Sequence, residues 1–338
     1  MPSKPRDPAR PTFYLDHSTL CDAFRAHVVG TATPSVPAYR PLFAWITRVA
    51  EEANLCLSVF HLAELARWGD RAAADGMARW YESMPVVWVR SLADVQDAED
   101  EHWTMRAAGV MPAEPVWVFA PSILAAFREM SPEAAAQLLS AREPLLKLLE
   151  AAREHGQRSL VQAPLQAAQA FREDRACADH HGRSPERKAN EVGYKMRVDL
   201  RKRAMAADKR LTVAGNATYA AKTCSAGDVQ DRVTDLFAAE PKAMPCYRAV
   251  QAFNEGFVAF AIGRAGPSKK EAEALRGSFH DLVHLAVGAA YCDTFTCDAR
   301  VSGWLGDLRQ RLGFCRQLTV RESGGPEAFV RALMAAWP

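Results

Sequence analysis

The stretch HDLVHLAVGAAYCDTFTCDARV, residues 280–301, decides the fold that this sequence predicts. Its apolar first half continues a helical pattern that runs from Lys269 to Ala290. Thr294–Cys297 then combines β-branched and aromatic side chains, which is typical of a short buried strand. Asp298 follows that strand directly, and a helix is predicted from Ala299 to Leu312. A helix, a strand and a helix in this order indicate an α/β unit with parallel pairing.

The same alternation of strands and helices occupies the first 105 residues and returns after residue 269. Between these parts the chain is alanine-rich, is largely helical in pattern and contains no convincing strand. We therefore predict an α/β fold with a doubly wound, mainly parallel sheet of about five strands, interrupted by a largely α-helical insertion. The predicted strands are residues 12–16, 55–59, 85–89, 294–297 and 314–320. The predicted divisions are a first core part at 10–105, the insertion at 106–268 and a second core part at 269–338.

Composition limits the classes of protein to which the chain can belong. The 42 Lys and Arg residues nearly cancel the 40 Asp and Glu residues, so any nucleic-acid surface must be local. Eight cysteines form no Cys-x-x-Cys pair, which disfavours a zinc knuckle and favours reduced thiols. The basic N-terminus has no following apolar segment, and the apolar run Gly256–Ile262 is too short to cross a bilayer. We expect a cytoplasmic protein with no membrane partner.

Four acids fall where a parallel sheet presents its ligands. Asp16 ends the first predicted strand and Asp298 ends the fourth. Glu64 lies in the helix entered from the second strand, and Asp281 lies on the helix before the fourth. Ligands bind beyond the carboxyl ends of such strands, so we expect these side chains to meet at one edge. Clustered carboxylates repel each other without a cation, and their hard oxygen atoms suit Mg²⁺ or Mn²⁺.

Three segments of the chain resemble the signature stretches of PIN-domain nucleases. They are YLDHSTL at 14–20, LSVFHLAEL at 57–65 and the stretch 280–301. The resemblance covers about residues 10–105 and 270–325, whereas the long insertion departs from the compact family pattern. It implies a metal-dependent endoribonuclease in which Asp16, Glu64, Asp281 and Asp298 are both the metal ligands and the catalytic groups. RNA is the implied substrate, with single-stranded DNA as an alternative. A role as a toxin, defence effector or processing enzyme is left open, as are a cognate antitoxin, another regulatory partner and a homo-oligomer.

Five further residues are predicted to surround the acids without acting as their main ligands. His61 and His284 are each three residues from a proposed ligand, so each shares a helical face with it. Thr296 is expected to orient the site by hydrogen bonding, and Ser18 suits the N-cap of the first helix. Asp293 is also assigned to this group, although a cap or turn at the start of the strand is the preferred role. The set is therefore Ser18, His61, His284, Asp293 and Thr296.

Simpler and rival interpretations compete with the nuclease. Asp16 with Ser18 could form no more than a helix-capping turn. The doublet His280-Asp281, with His61 and His284, also suits a transition metal in an HD-type phosphohydrolase or a carboxylate–histidine oxygenase. Such sites usually lie in all-helical folds, and the strand after Asp281 argues against them. A catalytically inactive PIN-like scaffold for RNA or protein is the third alternative.

The strongest local basic segment is residues 183–210, with ten Lys and Arg residues against four Asp and Glu. On a helix, several of these cations would form one face that contacts phosphates and supplies affinity without reading sequence. A solvated helix face is the simpler alternative. Tyr194 in the same segment is a candidate for stacking on a base. The residues assigned to nucleic-acid binding are Lys195, Arg197, Arg201, Lys202 and Arg203.

Overall fold

The computed structural model describes the chain in several segments. These are residues 4–28, 36–112, 115–120, 122–126, 141, 143–155, 185–222, 224–262, 285–312, 317–320 and 324–338. Within these segments, no helix is both long enough and apolar enough to cross a membrane.

A six-stranded sheet organises the molecule, in the order β4-β3-β2-β1-β5-β6. Its strands are β1 (Thr12–Tyr14), β2 (Asn54–Ser58), β3 (Val87–Val89), β4 (Phe119–Ala120), β5 (Thr294–Cys297) and β6 (Gln317–Val320). All neighbouring strands are parallel except β3 and β4. The prediction of an α/β class with a mainly parallel sheet is therefore confirmed. The two-residue β4 lies inside the region where no strand was predicted, because so short an antiparallel edge strand has no periodicity to detect.

Helices cover both faces of the sheet. They are α1 (His17–Val28), α2 (Val36–Glu52), α3 (Val59–Leu65), α4 (Arg71–Ser83), α5 (Leu92–Ala107), α6 (Ile123–Ala126), α7 (Pro144–His155), α8 (Pro185–Val213), α9 (Ala217–Ala220), α10 (Ala226–Ala239), α11 (Pro245–Ile262), α12 (Ala299–Leu312) and α13 (Pro326–Met334). Residues 285–291 are also helical. Because α1 already begins at His17, Ser18 is not its N-cap, and that prediction is wrong.

The alternation of side chains along the strands creates two cores. Phe13 of β1 and Leu15, which follows the strand, belong to one buried cluster, which α1–α4, α6, α7 and α13 complete. Tyr14, between them, points to the opposite face and joins a second cluster with α5, α11, α12 and residues 285–291. This period of two is what a strand with both faces buried requires.

A third apolar cluster forms beside the sheet, around α8 and α10. Leu200, Ala204 and Leu211 recur at helical spacing along α8 and are buried against Trp103 of α5 and Phe237 of α10. By contrast, α6, α7 and α11 pack within the two cores of the sheet. Among the described residues of the predicted insertion, α8–α10 alone therefore have a core of their own, and we call them the helical annex.

One glycine in the stretch 280–301 allows a helix to approach the sheet closely. A Cβ atom at Gly288 would lie 2.7 Å from two atoms of the Tyr14 ring. Such a distance is far inside van der Waals contact, so a side chain at this position would displace the ring. Residues 285–291 therefore pack directly on β1, next to the edge where the candidate site lies.

Candidate active site at the carboxyl edge of the sheet

Asp16 and Asp298, from opposite ends of the chain, meet at adjacent strand ends. Asp16 follows β1 and Asp298 follows β5, and these strands are parallel neighbours. The backbone N–H of Asp16 donates to Oγ1 of Thr296, the third residue of β5, over 2.7 Å. The order of the strands reverses between β1 and β5, since β2 and β3 continue on one side and β5 and β6 on the other. This is the position where open α/β sheets bind their ligands.

Glu64 is held at the same edge by a buried hydrogen-bond network. β2 ends at Ser58, and α3, which carries Glu64, begins at the next residue. The hydroxyl groups of Tyr14 and Ser58 lie 2.9 Å apart, which joins the ends of β1 and β2. Ser58 also donates its backbone N–H to Nδ1 of His61 over 3.0 Å. The network therefore fixes the first turn of α3 relative to the sheet.

His61 is fully buried and uses both ring nitrogens for this purpose. Since Nδ1 accepts from Ser58, Nε2 carries the proton and donates to the carbonyl oxygen of Leu15 over 3.0 Å. Burial lowers the pKa of His61 to about 4, although both hydrogen bonds oppose that shift. The ring is therefore neutral at pH 7, and neither nitrogen is left for a metal ion.

His17 is a member of the site that the prediction did not include. Its Nδ1 lies 3.8 Å from Oε2 of Glu64, and its Nε2 lies 3.1 Å from Sγ of Cys21. Burial lowers its pKa well below the usual range, so the approach to Glu64 joins a neutral ring to a carboxylate and is not an ion pair. Within the part of the chain that the structure describes, the buried Nδ1 has no hydrogen-bond partner. The only sequence signal for this residue is its position directly after Asp16.

The charges of Asp16 and Glu64 act on the same buried groups. Burial raises the pKa of the Tyr14 phenol well above its usual range, and both carboxylates raise it further. The pKa of Tyr81 is raised for the same reasons, with burial again the largest cause. Both acids therefore act on the same buried rings, and Glu64 also lies 3.8 Å from the imidazole of His17, the residue that follows Asp16.

The acids at the strand ends also have structural partners. Asp298 accepts from the backbone N–H of Val301 over 2.8 Å, which caps α12, and from Nη2 of Arg300 over 3.2 Å. Its side chain remains 35% exposed. The Ser18 hydroxyl donates to the carboxylate of Asp16, so Ser18 contacts the site although it does not cap α1. A carboxylate has about four lone-pair positions, so such bonds leave room for further ligands.

Asp293 does not belong with these residues, and its assignment beside the site is wrong. Its carboxylate accepts from the backbone N–H of Thr12, and its own N–H donates to the Thr12 carbonyl oxygen. Thr12 begins β1 and Asp293 precedes β5, so this contact lies at the amino edge of the sheet. Asp293 and Asp298 flank the four-residue β5, so at about 3.3 Å per residue roughly 16 Å separates Asp293 from the carboxyl edge. Asp281, His280 and His284 lie outside the described residues.

The predicted basic face on α8 is only partly available to a ligand. Lys195, Arg197 and Lys202 are exposed. Arg201 pairs with Asp231 of α10 over 3.3 Å on the surface. Arg203 is partly buried between partners, with ion pairs to Asp100 and Asp199 and a stack over the Tyr247 ring. The prediction that Arg203 binds nucleic acid is therefore wrong, because this cation joins α8 to α5 and α11.

The chemistry of the donor set suits a hard divalent cation. Among the described residues, no group of three or more His, Cys, Asp or Glu side chains is close enough to hold a metal ion. Asp16, Glu64 and Asp298 nevertheless offer carboxylate oxygens at one edge, all partly exposed, and the neighbouring His61 nitrogens are occupied. Carboxylate oxygen donors favour Mg²⁺ or Mn²⁺ over the later transition metals.

Comparison with known proteins gives no match, whether to family models, to curated proteins or to solved structures.

Proposed function

We propose that this protein is a metal-dependent nuclease with a PIN-like core, which hydrolyses RNA phosphodiester bonds at its acidic edge. The observation that carries the proposal is the meeting of Asp16 and Asp298 at the carboxyl ends of β1 and β5, where the strand order reverses. Few structural needs bring two acids from opposite ends of a chain to this position, whereas ligand binding does.

The chain's own residues have separable tasks in this proposal. Asp16, Glu64 and Asp298 would hold Mg²⁺ or Mn²⁺, with Asp281 as the fourth acid. The bound metal supplies an activated water and neutralises charge on the phosphate. Thr296 fixes the backbone of Asp16, and His61 fixes the helix that carries Glu64. Arg300, beside Asp298, adds a guanidinium group where a polyanion would arrive.

The helical annex offers the means to hold RNA. Lys195, Arg197 and Lys202 lie exposed on α8, whose apolar residues pack in the core of the annex. An acidic centre repels a polyanion before metal binds, so cations nearby are needed to attract the substrate. Contacts of this kind act on phosphates and weaken as salt rises.

Conservative substitutions at the carboxyl and amino ends of β1 and β5 test the proposal. We expect Asp16→Asn and Asp298→Asn to lower cleavage of single-stranded RNA by about 1,000-fold or more in Mg²⁺ or Mn²⁺. A metal ligand contributes several kcal/mol to the transition state, and about 1.4 kcal/mol is tenfold in rate. Asp293→Asn is the matched control, because it changes the same residue type on the same strands at the opposite edge. Parental cleavage by the first two variants, with circular dichroism unchanged, would refute the site.

The basic face of α8 has its own test. Arg197→Glu combined with Lys202→Glu should weaken RNA binding at low salt and make the logarithm of affinity less steep against the logarithm of salt. Arg331→Glu is the control, since this exposed arginine lies on α13, at the other face of the sheet. Equal salt slopes for all three proteins would remove α8 from the binding surface.

A scaffold without catalysis is the second candidate. It is favoured by the capping of α12 by Asp298 and by the bond from Ser18 to Asp16, which give both acids structural tasks. A scaffold would bind RNA with the salt dependence described above, yet cleave none of it in any divalent metal. The histidine-metal alternative is disfavoured because both nitrogens of His61 are already used.

A further inference from the structure

A cavity of about 740 Å³ opens at the carboxyl end of β3. One wall is α5 and the segment that leads to β4, and the other is the turn between α8 and α9 in the helical annex. Arg90, on its lining, directly follows β3 and therefore lies at the same carboxyl edge as Asp16. Cavities between two packed parts of a chain are common places for ligands.

Trp117 gives this cavity a flat aromatic surface. Although tryptophan is normally buried, this residue is 53% exposed. The guanidinium carbon of Arg90 lies 3.9 Å from the ring centroid, and Nη1 of Arg90 donates to the Trp117 carbonyl oxygen over 3.0 Å. The backbone N–H of Arg90 also donates to Val118, which fixes the pair to the sheet. A rigid indole supported on one side in this way is suited to stacking against a planar group.

The charges on the walls disfavour a phosphate inside the cavity. Asp94 lies 3.8 Å from Arg90. Asp97 and Glu101 pair with Arg210 over 3.3 and 2.6 Å. Three carboxylates thus face two guanidinium groups, and this balance leaves no excess of positive charge for an anion. A neutral planar ligand is compatible with this lining, whereas a phosphate is not.

Polar groups on the annex side can recognise the edge of such a ligand. Asn216 accepts from the backbone N–H of Tyr219 through its side-chain oxygen, over 3.0 Å, so its amide group can still donate. Thr218 adds an exposed hydroxyl group. Met105 and Met111 supply deformable apolar contacts. Stacking combined with amide and hydroxyl contacts is how proteins hold unpaired bases.

We infer that this cavity binds a nucleobase of a single-stranded nucleic acid, with the base stacked on Trp117. The inference rests on the proposed function for its substrate class, and it adds where the strand is held. β3 is two strands from β1, so Arg90 lies about 10 Å from Asp16 along the edge at about 4.8 Å per strand. A single strand lying along this edge meets both the acids and the cavity.

Binding measured without cleavage tests the inference. The full chain in EDTA is titrated with a fluorescent single-stranded RNA, and with the same RNA carrying abasic positions. We expect Trp117→Ala to weaken binding of the intact RNA by about tenfold or more, and Trp117→Phe by much less. The salt dependence of affinity should not change, because no phosphate contact is removed. The abasic RNA should bind the parent weakly and lose little more with Trp117→Ala, since the two changes remove one contact.

Several outcomes would overturn the inference. An equal loss for intact and abasic RNA in Trp117→Ala would show that the ring does not contact a base. A loss in Tyr194→Ala in place of Trp117→Ala would assign stacking to the other exposed aromatic residue, on α8. Unfolding curves in urea establish that the variants remain folded. Failure of the nuclease is distinguishable, because base-dependent binding in EDTA does not require the acids to hold metal or cleave.

Discussion

Acid side chains are used in opposite ways in two regions of this molecule. Glu99 on α5 is fully buried, and its carboxylate accepts from the backbone N–H groups of Cys246 and Tyr247 and from the Tyr291 hydroxyl. It therefore caps the N-terminus of α11 and ties it to residues 285–291. Asp16 and Asp298, at the carboxyl edge, are partly exposed instead.

The difference between these regions lies in which groups donate to the acids. The three donors to Glu99 come from segments far along the chain, so this carboxylate joins separate parts of the fold. Those that bind Asp298 come from Arg300 and Val301, two and three residues away, and its side chain stays 35% exposed. A buried acid with distant donors is structural, whereas an exposed acid with local donors retains capacity for a ligand.

Substitution of one acid in each region should give the largest difference in stability and in RNA cleavage. Glu99→Ala leaves three buried donors without a partner and should lower the free energy of unfolding by about 3 kcal/mol or more. Glu64→Ala should change it by no more than about 1 kcal/mol, because its side chain is 24% exposed, yet it should abolish RNA cleavage. Urea unfolding and a cleavage assay measure the two effects. Should Glu99→Ala not yield folded protein, Glu99→Gln takes its place. Equal losses of stability at both positions would contradict the contrast.

A substitution in the helix that lies between the two regions tests how tightly it packs on the sheet. Residues 285–291 carry Tyr291, which contacts Glu99, and Gly288, which packs on Tyr14. Gly288→Ala should cost about 1–3 kcal/mol, because the new methyl group displaces the Tyr14 ring. A Cβ atom added at Gly303 on α12 would meet no described atom within 4 Å. Gly303→Ala should therefore stabilise the protein by about 0.5–1 kcal/mol. Thermal unfolding compares the pair, and stabilisation by both changes would mean that the approach to Tyr14 is not tight.

His61 tests whether the edge region is organised by oxygen ligands. His61→Gln removes a hydrogen bond that holds α3, and we expect about tenfold lower cleavage with the dependence on Mg²⁺ retained. Elemental analysis of parent and variant protein provides the control. A stoichiometric transition metal that is present in the parent and lost with His61→Gln, together with all activity, would favour the histidine-metal alternative.

The pH dependence of stability should distinguish the buried acids from the buried histidines. Burial raises the pKa of Glu99 to about 7 and that of Asp100 to about 6. Both values exceed those of unfolded chains, so the folded state binds these protons more tightly. Their contribution to stability is present at low pH and is lost as pH rises through about 6–7, at up to about 1.4 kcal/mol per pH unit for each group. The lowered pKa of His61 acts with the opposite sign, because its contribution is lost as pH falls. Urea unfolding between pH 5 and 8 therefore compares the parent protein with Glu99→Gln, whose slope of stability against pH should be less negative. Equal slopes for the two proteins would contradict the raised pKa of Glu99.

The elements that define the sheet could be predicted because their signals are local. β5 lies at the predicted residues Thr294–Cys297, where four β-branched, aromatic and apolar side chains are all buried. β1 is two residues shorter than predicted and ends before Asp16. Ser91 accepts from the backbone N–H of Asp94 and begins α5, as its position before an acidic first turn predicts.

What could not be predicted depends on partners that are distant along the chain. Asp293 precedes and Asp298 follows one four-residue strand. The edge of the sheet at which each acid lies therefore depends only on the direction of the strands. Arg203 shares a basic helix with exposed cations, and only the position of Asp100 on α5 makes it internal. Glu99 lies in an acidic segment that is typical of a solvated helix face. No neighbouring residue in the sequence indicates that the N-terminus of α11 packs against its carboxylate.

The central place of β1 has a consequence for synthesis of the protein on the ribosome. β2, which pairs with β1, and β3, which pairs with β2, are synthesised early. The partner of β1 on its other side, β5, follows more than two hundred residues after β3. At bacterial or eukaryotic elongation rates that interval is on the order of 10–50 s. During this interval the backbone N–H and C=O groups on one edge of β1 have no partner strand. Such an unpaired edge promotes aggregation and is a surface that chaperones recognise. In the proposed function, Asp298 joins Asp16 only after β5 has been made. Until then the nascent chain would lack this acid, and would not cleave the messenger RNA from which it is being made.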